Sequence, residues 1–160
     1  MDLAGAIRDL HDSELGFARE LWRLAGTLDD SPLRALFVDL ARQADVRTSA
    51  VDAWVLRCNG KPWDVRGVDL GERILGAVRG EAAVLVVGRA PRLQAELSDL
   101  RRMASRCELE WSVVGRGARA AGDRQLLDLV TAGHADLVTT AERLSDAIHG
   151  AGSDGPVSGS

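Results

Sequence analysis

Four polar residues stand where a helical protein would normally place apolar ones: Glu14, Arg47, Glu108 and His134. Glutamate and histidine are metal ligands, and an arginine can neutralise a carboxylate and donate several hydrogen bonds to it. Three accounts of the group compete. In the first, Arg47 neutralises Glu14 and Glu108 in a metal-free pair. In the second, Glu14, Glu108 and His134, joined by Asp45 or Gln43, hold a metal. In the third, the helices are rotated slightly and these side chains reach water at the edge of the seam. A carboxylate among leucines must be paired, protonated or metal-bound, because an isolated buried charge is costly.

The elements that would position these residues follow from hydrophobic spacing. Leu3, Ile7, Leu10, Phe17, Leu21, Leu24 and Leu28 alternate steps of three and four, interrupted at Glu14. That pattern lines one side of a long helix over about 2–28. Ser31 is a good N-cap and Pro32 suits the first position of a second helix, which runs to about Cys58 before Asn59-Gly60 and Pro62. So short a link makes the two helices antiparallel neighbours. A third helix is predicted from Pro91 to about Ala121 and a fourth from the N-cap Asp123 to near Gly150. Residues 151–160 are expected to be a flexible Gly/Ser-rich tail after a domain spanning 1–150. Between Lys61 and Pro91 the pattern suits a crossover with a short helix near Leu70 to Val78, followed by the apolar run Ala82 to Val87.

Counting from the turns places the polar residues near mid-bundle. Glu14 lies 16 residues before Asp30 and Arg47 lies 17 after it; His134 lies 12 after Gly122, with Glu110 and Glu108 lying 12 and 14 before it. At a rise of about 1.5 Å per residue, such mismatches are within side-chain reach. Either Glu108 or Glu110 can be the third helix's contribution, and either Cys107 or Glu108 can fill its stripe.

Composition bounds the remaining possibilities. A chain of 160 residues, 46% hydrophobic and 28% charged, is long enough for one domain with a real core. A net charge of -4 argues against nucleic acid as a partner. The longest apolar run is too short to cross a bilayer and the N-terminus has no secretory pattern, so a cytoplasmic protein with reduced thiols at Cys58 and Cys107 is expected. His11 is expected at solvent and His149 at the end of the fourth helix, where an imidazolium suits the helix dipole. No phosphate-binding glycine loop and no Ser-His-Asp order is present. Without tyrosine, tyrosyl-radical chemistry is excluded.

Three stretches carry a resemblance to a known family. Leu10-His-Asp-Ser-Glu-Leu-Gly-Phe17, the segment from Ser31 to Gln43, and Asn59-Gly60-Lys-Pro62 resemble motifs of the ferritin-like superfamily, specifically its small bacterial YciE-like four-helix families, over residues 5–149. The resemblance implies an all-α, ferritin-like antiparallel four-helix bundle. Di-metal members use one glutamate on each of two helices and a Glu-x-x-His pair on each of the other two. Glu14 matches the first-helix ligand and Glu108 the third-helix one, with Glu110 as rival. Gln43 stands where the second helix would carry a glutamate, and His134 has Thr131 three residues before it instead of a glutamate. Too few anionic ligands remain for two divalent cations, and Arg47 brings a positive charge to the same place. The expected protein is therefore a non-catalytic binding or structural homodimer with no metal or other cofactor at its centre. The alternative is an iron- or manganese-binding oxidoreductase or iron-handling protein using Glu14, Glu108 and His134.

Overall fold

The computed structural model describes residues 2–29, 31–59 and 89–153. These form four α-helices: α1 (Leu3–Thr27), α2 (Pro32–Asn59), α3 (Arg89–Ala121) and α4 (Arg124–Ser153). No strand occurs among the described residues. The expected crossover, the short helix expected within it and the apolar run 82–87 lie outside them, as do residues 154–160.

Local chemistry accounts for the helix ends. Ser31 Oγ accepts a hydrogen bond from the Arg34 amide at 3.2 Å, capping α2 directly before Pro32. At the other hairpin, Gly122 has φ of +69°, a left-handed conformation that favours glycine. The Asp123 amide then donates to Ala118 O at 3.0 Å and the Gly122 amide to Arg119 O at 3.2 Å, closing α3 with a Schellman motif. Asp123 Oδ1 in turn accepts from the Leu126 amide at 2.9 Å and starts α4. Two boundaries differ from expectation. α3 begins at Arg89, with Pro91 inside the first turn, where the amide a proline lacks would have no intrahelical partner. α4 continues to Ser153, so the first three residues of the expected tail are helical.

The apolar stripes meet along four lines of contact: α1 packs on α2 and α3, and α4 packs on α3 and α2. Phe17, Leu21 and Leu24 of α1, Phe37 and Leu40 of α2, Leu97, Leu100 and Trp111 of α3, and Leu137 and Leu144 of α4 are fully buried. Each such side chain contributes about 1.5–3 kcal/mol relative to exposure, so these stripes are the main force holding the helices together. Residue pairs give the relative registers. Along α1 and α2 the contacts are His11 with Asp52, Glu14 with Arg47, and Trp22 with Asp45. Along α2 and α4 they are Asp39 with Arg143, Gln43 with Thr140, and Arg47 with Asp136. Between α3 and α4, a Cβ at Gly115 would lie 3.0 Å from Val130 Cγ1, a close approach that glycine permits. No helix among the described residues is long and apolar enough to cross a membrane.

Candidate functional site

The interruption at Glu14 marks the centre of the molecule. Glu14 lies between Leu10 and Phe17 on the inward stripe of α1 and is 0% exposed. Arg47, one turn after Ala44 on α2, is 3% exposed. Arg47 Nε donates to Glu14 Oε1 at 2.9 Å, and Arg47 Nη1 donates to Asp136 Oδ2 of α4 at 2.5 Å. From α3, the Trp111 indole donates Nε1–H to the same Glu14 Oε1 at 2.6 Å. All four helices therefore meet at one carboxylate and one guanidinium.

The charges in this centre are compensated locally. Burial by itself would lower the pKa of Arg47, but the Glu14 charge and the hydrogen bonds to Glu14 and Asp136 outweigh it and hold the guanidinium above its ordinary value. Arg47 thus remains a cation beneath the surface. Close by, burial pushes the Cys107 thiol well above its usual range, with the Glu14 carboxylate adding to the shift. The thiol is held as a neutral, buried group and not as a nucleophile.

Of the residues expected in the layer, Glu14 and Arg47 are joined directly. Glu108 and His134 are placed elsewhere. Glu108 is half-buried, accepts from Arg101 Nη1 at 3.4 Å, and lines a surface groove between α3 and α4 with Val138 and Glu142. Cys107, one residue earlier, fills the inward position. The rival Glu110 accepts from Arg106 Nε at 2.9 Å on the α1–α3 side. His134 is half-buried and is not among the side chains bonded to Glu14 or Arg47. Gly133 takes the inward position, and Asp136 supplies the α4 contact to Arg47. Two further candidate ligands are engaged elsewhere: Asp45 accepts from Trp22 Nε1 at 2.9 Å, while Gln43 donates to Asp39 and accepts from Thr140. His11 is not at open solvent; its side chain is 16% exposed and its Nε2 lies 3.0 Å from Asp52 Oδ1 in the α1–α2 seam. His149 is exposed near the end of α4, with Nδ1 2.7 Å from Ser145 O.

Gly133 and Trp111 explain the difference on α3 and α4. A Cβ at Gly133 would meet the Trp111 ring at 2.5 Å, so the indole occupies the space a side chain there would need. Trp111 is a residue of this centre that sequence reasoning missed. Two signals pointed to it. A buried indole needs an acceptor for its N–H, and Trp111 and Gly133 lie equally far, 11 residues, on either side of Gly122.

The donor set does not fit a ferritin-like di-metal centre. Among the described residues, no group of three or more His, Cys, Asp or Glu side chains lies close enough together to hold a metal ion. Glu14 and Asp136 are bridged by the Arg47 guanidinium, so a cation placed between them would face a fixed positive charge. The arrangement neutralises a buried carboxylate and ties four helices to it; it presents no activated nucleophile. Searches with this chain return no matching family model, no matching curated protein and no matching solved structure.

Proposed function

We propose that the protein is a non-catalytic binding or structural member of the ferritin-like four-helix bundles, in which an arginine has replaced the metals at the centre. One observation carries the reading: Arg47 lies buried between Glu14 and Asp136, bonded to both. A guanidinium offers five donors in a planar fork, so it can satisfy carboxylates from two helices where a metal would otherwise bridge them.

The helix pairing supports the fold assignment. Contacts rise along α1 as they fall along α2, and those between Arg23 and Glu96 and between Glu14 and Trp111 follow the same reversed order along α1 and α3. Both neighbours of α1 then run antiparallel to it. The end of α2 and the start of α3 accordingly fall at opposite ends of the bundle, the arrangement that a ferritin-like crossover serves.

Metal analysis of protein purified without chelator tests this reading. Iron and manganese well below one equivalent are expected. Near-stoichiometric iron or manganese would replace the reading with that of a metal-binding oxidoreductase or iron-handling protein. A cytoplasmic homodimer belongs to the same proposal, and the exposed Val46 and Leu56 on α2 would suit a second copy. Size-exclusion chromatography with light scattering tests it, and a monomer at high concentration would remove the dimer.

A further inference from the structure

We propose that the centre is also a binding site for one neutral, water-sized hydroxylic molecule, in the first instance water, bridging Glu14 Oε2 and Arg47 Nη2. The inference rests on the metal-free reading above, since it takes the guanidinium as the resident cation.

The geometry of the guanidinium supplies the first step. In this planar group, the Nε–H bond and one N–H bond of Nη2 lie along the same edge and point the same way. Arg47 Nε uses that edge to donate to Glu14 Oε1 at 2.9 Å, so Nη2 is turned toward the same carboxylate. The usual outcome is a fork in which two parallel N–H bonds engage two carboxylate oxygens. Here Trp111 Nε1 also donates to Oε1, at 2.6 Å, and the carboxylate is held by that one oxygen from two helices. Glu14 Oε2 and Arg47 Nη2 are both buried and have no hydrogen-bond partner among the described residues.

The chemistry of the two atoms selects the ligand. Oε2 of an ionised carboxylate can only accept a hydrogen bond, and Nη2 can only donate one. A bridging species must therefore offer a donor and an acceptor together. A cation would be repelled by the guanidinium and an anion by the carboxylate, whereas a hydroxyl oxygen satisfies both. Both side chains are buried, at 0% and 3% exposure, so an occupant bridging them is small and shielded from bulk solvent. Buried waters commonly make about two to four hydrogen bonds, and this position supplies a strong acceptor and a strong donor. Asp136 accepts from Nη1 and leaves Nη2 without a partner.

A crystal structure of the full-length wild-type chain, at a resolution that defines ordered solvent, tests the proposal. One solvent peak within hydrogen-bond distance of both atoms is expected. A direct Nη2–Oε2 hydrogen bond with no third atom overturns the bridging molecule and leaves the metal-free reading intact. A peak with the anomalous scattering of a transition metal overturns both. In solution, oxygen-17 relaxation dispersion should register the loss of one long-lived water on replacing the pair by Glu14→Leu with Arg47→Met. An unchanged number of long-lived waters in that folded variant overturns the proposal. The crystallographic test does not depend on the variant folding.

Discussion

Gly133 of α4 lies directly against the Trp111 indole of α3, where an added Cβ would stand 2.5 Å from Cη2 and 2.6 Å from Cζ2. The contact matters beyond packing because the same indole donates to Glu14 Oε1. A side chain at Gly133 therefore moves the donor as well as the ring.

Gly133→Ala should destabilise the protein by about 1–3 kcal/mol, the usual cost of overpacking a tight core, even though alanine is the better helix former by about 1 kcal/mol. Gly26 is the control: nothing lies within 4 Å of a Cβ built there. Gly26→Ala should stabilise by up to about 1 kcal/mol. Denaturant unfolding of both variants checks the pair. Stabilisation by both would show that the indole does not rest against Gly133.

Breaking the central ion pair and replacing it should have different consequences. Arg47→Leu leaves Glu14 charged and buried, with a cost of about 3–5 kcal/mol. Replacing both partners, with Glu14→Leu and Arg47→Met, removes the uncompensated charge and should cost much less than the single change. Equilibrium unfolding of the two single variants and the double variant measures the coupling between them. Additive losses would mean that the two side chains act independently.

Trp111→Phe retains most of the ring but removes its N–H from Glu14. Hydrogen bonds to charged groups are worth about 1.5–3 kcal/mol, and a loss in that range is expected. Chemical denaturation reads it directly. A change below about 0.5 kcal/mol, the scatter expected of neutral substitutions, would place the carboxylate's stabilisation on Arg47 alone.

Cys107 should make stability fall at alkaline pH. Its folded pKa is raised by burial, so the unfolded chain releases the thiol proton first, near the ordinary thiol pKa of about 8.5. The folded protein then binds the extra proton, and stability declines as pH rises above that value. The chain has no tyrosine and a single lysine, Lys61, so few other side chains compete in this range. Unfolding midpoints measured from pH 7 to 10 should fall for the wild type and fall less for Cys107→Ala. Iodoacetamide followed by peptide mass mapping should label Cys107 in denatured protein and leave it unmodified in folded protein.

How much of this was legible beforehand depended on the range of the interaction. The caps at Ser31 and Asp123 and the stop at Gly122 are properties of neighbouring residues, so they appear in the sequence as plainly as in the structure. Glu14 and Arg47 could be paired by counting from one short turn, because so short a link is expected to bring residues at equal distances from it together. Glu108 and His134 failed by a single residue each. Adjacent helical positions differ by about 100° in direction, and both Cys107 and Glu108 suit a spacing of three and four.

What the amino-acid sequence determined by itself was the helical content, most of the boundaries, and the presence of a buried carboxylate that required a partner. Only the tertiary structure decided the full set of partners: a tryptophan from α3, an arginine from α2 and, at the outer end of that arginine, Asp136 from α4. The reason is steric. The Trp111 indole can reach Glu14 only where the facing helix offers no side chain, so the rotation of α4 is set by Gly133, a residue whose contribution is the space it leaves empty.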